Sequence, residues 1–119
     1  NFMGPNGHVW ELSYDTQWHA NDLNVAAGIP STTAVTGALD GYQTLAPNQR
    51  HVDFISAANN HVFELYYDTS WHPRDLTSVP VPTPPVPIGR ITGFTTTVVN
   101  NQQHVDYVAF GGDVIELVH

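Results

Sequence analysis

The chain contains no cysteine and no lysine, and these two absences exclude several classes of protein. Without cysteine, neither a disulfide framework nor a zinc–thiolate site can form. Three arginines, Arg50, Arg74 and Arg90, stand against eleven carboxylates, which gives a formal net charge of −8. Because polyanions repel so acidic a chain, we expect neither nucleic acid nor an anionic membrane as its partner.

Long apolar runs are also missing. No stretch of the sequence reaches the length of a membrane-spanning helix, so we expect no insertion into a membrane. The opening residues, NFMGPNGH, have neither the basic nor the apolar region of a signal peptide, and the chain starts without an initiating methionine. The secretion route therefore stays open, and we expect the protein to act outside the cell or at its surface.

An internal repeat dominates what is present. Residues 8–24 read HVWELSYDTQWHANDLN and residues 61–77 read HVFELYYDTSWHPRDLT, identical at 11 of 17 positions with an offset of 53 residues. A second block, QRHVDFISAANNHVFEL at 49–65, returns as QQHVDYVAFGGDVIEL at 102–117. Repeats of this length determine the architecture of a chain.

Each unit reads as a series of β-strands. A Gly-aromatic strand (38–45 and 90–99) precedes the HVD strand, which precedes the H-V-x-E-L strand and the W-H-x-x-D-L segment. Asn6-Gly7, Asn59-Asn60 and Gly111-Gly112 occupy equivalent places between strands, where residues that accept positive φ predict hairpin turns. Helical periodicity is absent, and the fold class is predicted to be all-β.

The H-V-x-E-L strand carries apolar residues on both parities. Val9 alternates with Trp10, Leu12 and Tyr14, and the second copy repeats this pattern. A strand that is apolar on both faces is predicted to be packed on both, as in sheets stacked against neighbouring sheets. The glutamates that recur inside this strand, Glu11, Glu64 and Glu116, must then be hydrogen-bonded or reach solvent.

The period matches a four-stranded propeller blade. We predict a β-propeller of about 53-residue blades, with a partial blade at 1–36, a complete blade at 37–89 and a partial blade at 90–119. Propellers close with roughly four to eight blades, so the ring would be completed by homo-oligomerisation or by a longer parent chain. The proline-rich stretch 79–89 is read as a rigid connector rather than a polyproline ligand, because residues 24–36 fill the same slot without that proline density.

The string H-V-x-E-L-x-Y-D-x-x-W-H-x-x-D-L, preceded by a Q-x-H-V-D strand, resembles the repeat of the Photorhabdus-type bacterial lectins, the PLL-like family. That resemblance implies a seven-bladed β-propeller that binds fucose and related sugars between blades, with no catalysis and no required metal or cofactor. Two departures stand out. The chain has too few repeats for a seven-bladed monomer, and Asp113 replaces the histidine that opens the strand in the other copies.

The W-H-x-x-D-L segments supply the candidate ligand-binding residues. Sugars present an apolar face and a rim of hydroxyl groups, so a sugar site needs an aromatic platform beside hydrogen-bonding groups. The candidates are Tyr14, Trp18, His19, Asn21 and Asp22, with their counterparts Tyr67, Trp71, His72, Arg74 and Asp75. The alternatives are that the tryptophans pack between blades, that the His and Asp residues tie turns together, and that Asn21 and Arg74 are solvated.

Metal binding and catalysis are both disfavoured. Zinc needs three or four converging ligands, whereas the histidines recur once per strand, so strand-opening His8, His51, His61 and His104 are predicted to be structural hydrogen-bonding residues. The carboxylates recur with the repeat instead of forming the single pair that a glycosidase needs. We therefore predict a non-enzymatic, multivalent lectin for fucose-like glycans. A structural or protein-interaction propeller is the main alternative, and an accessory module of a larger hydrolase is a weaker one.

Overall fold

The computed structural model describes residues 1–44, 48–78, 84–96 and 102–119, with only the backbone described at 35–37. These ranges contain ten β-strands and one short helix. The strands are β1 (Phe2–Met3), β2 (Val9–Tyr14), β3 (Trp18–Asp22), β4 (Ala34–Gln43), β5 (Arg50–Ser56), β6 (Val62–Tyr67), β7 (Trp71–Asp75), β8 (Pro87–Thr96), β9 (Gln102–Ala109) and β10 (Val114–Val118). The helix α1 spans Leu23–Ala26.

The strands form three antiparallel sheets, which confirms the prediction of an all-β fold. Sheet I has the order β1-β2-β3, sheet II the order β4-β5-β6-β7, and sheet III the order β8-β9-β10. Each strand pairs only with its neighbours in the sequence, so every sheet is an up-and-down meander. The strands β4 and β8 each begin three residues before the blade boundaries predicted at 37 and 90.

The sequence repeat and the sheets coincide. The W-H-x-x-D-L segments form the outer strands β3 and β7, which pair in the same register with β2 and β6. The predicted ends of the Gly-aromatic strands at residues 45 and 97–99, and most of the proline-rich connector, at 79–83, lie outside the described residues.

The three predicted hairpin turns are confirmed. Gly7, Asn60 and Gly112 have φ values of 77°, 56° and 91°, in the left-handed region that glycine and asparagine tolerate. The amide of each donates a hydrogen bond to a carbonyl three or four residues earlier, with N–O distances of 2.9, 2.9 and 3.0 Å. The turns therefore hold equivalent hairpins in all three sheets.

The helix α1 was not predicted, since residues 24–36 were read only as a connector. Asp22 caps it by accepting a hydrogen bond from the Val25 amide at 3.2 Å, and Leu23 is buried. A helix of four residues is one turn long, too short for the 3.6-residue periodicity that reveals helices in a sequence. Within the described ranges, no helix has the length and hydropathy needed to cross a membrane.

Two apolar cores lie between the sheets. The first joins Val9 and Leu23 on the sheet I side to Val52, Phe54 and Leu65 of sheet II. The second joins Val62 of sheet II to Val105, Tyr107 and Ala109 of sheet III. Sheet II is therefore covered on both faces, and sheets I and III each pack one face against it.

The prediction that the H-V-x-E-L strand is packed on both faces holds for β6 but is wrong for β2. Val62, Glu64 and Leu65 are buried in β6. In β2, Leu12 and Tyr14 are exposed. The physical reason is that sheet I has a neighbouring sheet on one face only within the described part of the chain.

A row of carboxyl groups crosses the face of sheet II that packs against sheet III. Asp53 lies between Asp40 on β4 and Glu64 on β6 in the strand register. Asp53 is fully buried, and neither of its carboxyl oxygens has a hydrogen-bond partner. Burial, with the charges of Glu64 and Asp40 adding to it, raises the pKa of Asp53 well above the ordinary value of 3.8.

Replacing Asp53 by asparagine is expected to alter how the stability of the chain depends on pH. A raised folded-state pKa stabilises the fold below about pH 4, and this contribution is lost as the pH rises through the folded-state value. We expect Asp53→Asn to unfold in urea with a free energy about 1 to 3 kcal/mol higher than wild type at neutral pH, because its amide can donate to the adjacent carboxylates. The gain should disappear near pH 4. An equal gain at every pH would show that the Asp53 carboxyl does not titrate differently on folding.

Substitution of two equivalent glycines is expected to have opposite outcomes. A Cβ atom at Gly93 on β8 would overlap the ring of Tyr42 and the carboxyl of Asp53, both on sheet II, whereas at Gly41 on β4 it would closely meet only the side-chain amide of Asn1. Gly93→Ala should therefore lower the free energy of unfolding by roughly 1 to 3 kcal/mol, and Gly41→Ala should cost much less because Asn1 can rotate away. Equal costs in thermal unfolding would contradict this packing of sheet III on sheet II.

Candidate functional site

A crevice of about 540 Å³ opens between sheet I and sheet II and is called the I–II crevice. Sheet II contributes a cation and two aromatic rings, while β2, β3 and α1 contribute an indole and a polar rim. The lining residues are Trp10, Ala20, Asn21, Asp22, Val25, Ala26, Arg50, Tyr67 and Trp71. Four of the predicted site residues, Asn21, Asp22, Tyr67 and Trp71, are thus brought together.

The sheet II wall of this crevice is a cross-strand row. Arg50 on β5 lies opposite Tyr67 on β6, which in turn lies opposite Trp71 on β7. The two rings are 5.5 Å apart between centroids and tilted by 59°, and the guanidinium carbon of Arg50 lies 4.4 Å from the Tyr67 centroid and 5.2 Å from that of Trp71. These cation–π contacts hold the Arg50 guanidinium and the two rings in one arrangement.

Arg50 also joins the two sheets. Its Nη1 atom donates to Oε1 of Glu11 on β2 at 2.8 Å, and Glu11 is itself buried. Arg50 was not among the residues predicted from the sequence, because it lies outside the W-H-x-x-D-L segments. A signal was present, since Arg50 is one of three cations in the chain and the repeat replaces it by Gln103.

The polar rim of the I–II crevice consists of Asp22, which is hydrogen-bonded within the chain, and Asn21, which is exposed to solvent. Asp22 accepts hydrogen bonds from Nδ1 of His8 at 2.7 Å and from the Val25 amide. Burial raises the pKa of Asp22, but these hydrogen bonds and the charge of His8 outweigh burial, so the pKa lies below its ordinary value. Asn21 is exposed on β3, on the side of the crevice opposite the aromatic row.

A second crevice, of about 480 Å³, lies between sheets II and III and is called the II–III crevice. Its lining residues are Arg74, Leu76, Gln103, Val105, Glu116, Leu117, Val118 and His119. Gln103 takes the position of Arg50, and its amide nitrogen lies 3.1 Å from Nε2 of His51. Of the predicted site residues, this crevice contains Arg74 alone, and no tryptophan lines it, so the two crevices differ in chemistry.

Six histidines each pair with a carboxylate. The pairs, with N–O distances between 2.6 and 3.1 Å, are His8–Asp22, His61–Asp75, His51–Glu64, His104–Glu116, His19–Asp15 and His72–Asp68. The prediction that the strand-opening histidines are structural hydrogen-bonding residues is confirmed. Within the ranges the structure covers, no three His, Asp or Glu side chains converge as a metal site would require.

The remaining predicted site residues lie outside both crevices. His19 and His72 pair with Asp15 and Asp68 in the turns before β3 and β7. In the second of these turns, hydrogen bonds from the Thr69 and Ser70 amides lower the pKa of Asp68 to about 2. Asp75 is engaged by His61 and by the Thr77 amide.

The structure does not bring Trp18 and His19 together on one face of sheet I. Adjacent residues of a strand project to opposite faces, and β3 separates Trp18 from His19 in this way. The rings of Trp18 and Tyr14 are tilted by 57° with centroids 5.3 Å apart. Both are exposed on the face of sheet I that is turned away from sheet II.

Comparison of the chain with protein families, with curated proteins and with solved structures gives no match.

The Arg50–Glu11 pair is expected to couple sheets I and II energetically. Arg50→Gln, which copies the residue of the II–III crevice, should lower the free energy of unfolding by about 1 kcal/mol by leaving the buried Glu11 carboxylate without its partner. Because Arg50 is partly exposed, solvent screening keeps the effect modest. A double-mutant cycle with Glu11→Gln, measured by urea unfolding, should give a non-zero interaction energy. Additive effects would show that the contact contributes nothing to stability.

Proposed function

We propose that this chain is a carbohydrate-binding protein that holds a neutral, fucose-like sugar in the I–II crevice. The observation that carries the proposal is the row of Arg50, Tyr67 and Trp71 facing an open crevice with Asn21 and Asp22 on its other side. Protein sites for small ligands combine an apolar wall with a few placed polar groups, and this crevice has both.

The chemistry of the crevice suits a sugar ring. Trp71 packs against the first core and is half-buried, so its position is fixed while part of its surface borders the crevice. An indole held in this way offers a flat apolar surface to the C–H face of a pyranose. Arg50 supplies N–H donors, and the amide of Asn21 supplies one donor group and one acceptor to the hydroxyl rim.

A propeller arrangement of the sheets is part of the same proposal. The first strand of sheet III, β8, packs against the first strand of sheet II, β4, and each sheet repeats the same strand order. Radial repetition of four-stranded meanders is how propellers are built. The resemblance to PLL-like lectins supplies the choice of fucose-like sugars and of sites between blades.

Binding in this account involves no chemical change in the sugar. The carboxylate that lines the I–II crevice, Asp22, is engaged by His8, and Glu11, behind the lining residue Arg50, is engaged by that arginine. Neither is therefore placed as a free general acid or nucleophile. Weak sites repeated on one body would act through avidity, which can exceed the affinity of a single site by roughly two to four orders of magnitude.

A structural or protein-interaction propeller is the competing function. The observation that favours it is that His19, His72 and Asp75, all proposed from the sequence as ligand contacts, make hydrogen bonds within the chain. Under that function, Trp71 and Arg50 would only hold sheets I and II together.

The two functions are separated by a substitution at Trp71. A glycan array would identify the bound glycans, and calorimetric titration with free L-fucose would give the affinity. We expect Trp71→Ala to weaken binding at least about tenfold, or about 1.4 kcal/mol, because the stacking surface is lost. Phe110→Ala, which removes an exposed aromatic ring outside both crevices, is the matched control and should bind as wild type does. Unchanged affinity in Trp71→Ala with an intact β-sheet circular dichroism spectrum would exclude the I–II crevice as the sugar site.

A further inference from the structure

The two outermost sheet faces each carry several of the exposed apolar residues found in the described part of the chain. On sheet I these include Leu12, Tyr14 and Trp18, and on sheet III they include Phe94, Val114 and Val118. Together they form two separate apolar surfaces at opposite sides of the stack of three sheets. Contiguous exposed apolar patches on a protein surface often mark the sites of protein–protein interaction.

The repeat shows what covers each of these faces elsewhere in the molecule. Val9, in sheet I, and Val62, in sheet II, are 0% exposed because the next sheet covers them, whereas their counterpart Val114, in sheet III, is 70% exposed. Glu116 on β10 likewise matches Glu11, which receives Arg50 from sheet II. The outer face of sheet III therefore has the composition of a face that another sheet of this repeat covers.

The outer face of sheet I matches the other partner in this packing, the sheet II face that lies against sheet I. Its Leu12 is 53% exposed, while the counterpart Leu65 in sheet II is 0% exposed under sheet I. Its tilted ring pair, Tyr14 and Trp18, repeats the Tyr67–Trp71 pair, with centroid distances of 5.3 and 5.5 Å. On β2 and β3, this face therefore carries the same residues as the part of sheet II, on β6 and β7, that packs against sheet I.

We propose that the outer face of sheet III in one copy of this chain packs against the outer face of sheet I in a second copy. The contact would reproduce the apolar part of the I–II packing between molecules, with Val114 in the role of Val9, and with Leu12, Tyr14 and Trp18 in the roles of Leu65, Tyr67 and Trp71. Because the two faces differ, the contact is heterologous and runs head to tail, so copies join into a ring or a chain. The occupant is a second copy, since one molecule carries both complementary faces.

Lysine substitutions on the two faces test the interface. We expect wild type to associate in sedimentation velocity, into one species of fixed size if a ring closes and into a series that grows with concentration if the chain of copies stays open. Leu12→Lys and Val114→Lys should each be monomeric when alone. Mixed one to one, the two variants should form dimers and nothing larger, because Leu12→Lys keeps an intact sheet III face and Val114→Lys keeps an intact sheet I face. Ala58→Lys, in the exposed β5–β6 turn, adds the same charge elsewhere and should associate as wild type does.

Three results would overturn the proposal. They are a monomeric wild type at all concentrations, a mixture of the two variants that stays monomeric, and loss of association in one variant only, which would indicate a symmetric contact. Circular dichroism checks folding, and Tyr14→Lys with Val118→Lys provides a second pair.

Discussion

Each sheet of this chain has two faces rich in apolar residues, and only sheet II buries both, because sheets I and III lie on either side of it. Burial of these faces is the constraint on which the molecule depends. A β-sheet of three or four strands gains little stability alone, whereas stacked sheets share a core and stabilise one another. The exposed valine, leucine and tryptophan residues on sheets I and III mark where this packing stops within the described residues.

Polar groups determine how the sheets fit together. Histidine–carboxylate pairs link neighbouring strands within each sheet, and the Arg50–Glu11 pair crosses from sheet II to sheet I. At the junction of sheets II and III, Asp40 accepts hydrogen bonds from the Gly93 amide at 2.8 Å and from the Thr92 hydroxyl at 3.1 Å. A buried polar group needs a partner, so these contacts favour one relative position of two otherwise apolar surfaces. Among the described residues, Asp53 lacks such a partner at both carboxyl oxygens, and burial raises its pKa.

The sequence was sufficient to predict the elements that recur. The 53-residue repeat, the three hairpin turns and the all-β class follow from local patterns, because turn residues and strand composition act over a few positions. The residues that line the I–II crevice were predicted less well. Trp71 and Tyr67 were identified by their motif, but strand alternation placed His72 elsewhere, and Arg50 entered the site through packing between sheets. Such packing joins residues far apart in the chain, and no local pattern encodes it.

Sugar binding in the I–II crevice can be tested by titrating the isotope-labelled chain with L-fucose and following the indole N–H and backbone and side-chain amide groups by two-dimensional NMR. We expect a saturable shift of the Trp71 indole resonance together with the amide resonances of Asn21, since both residues line the I–II crevice. Binding that shifts neither of them, or that perturbs only residues outside the two crevices, would contradict sugar binding in this crevice.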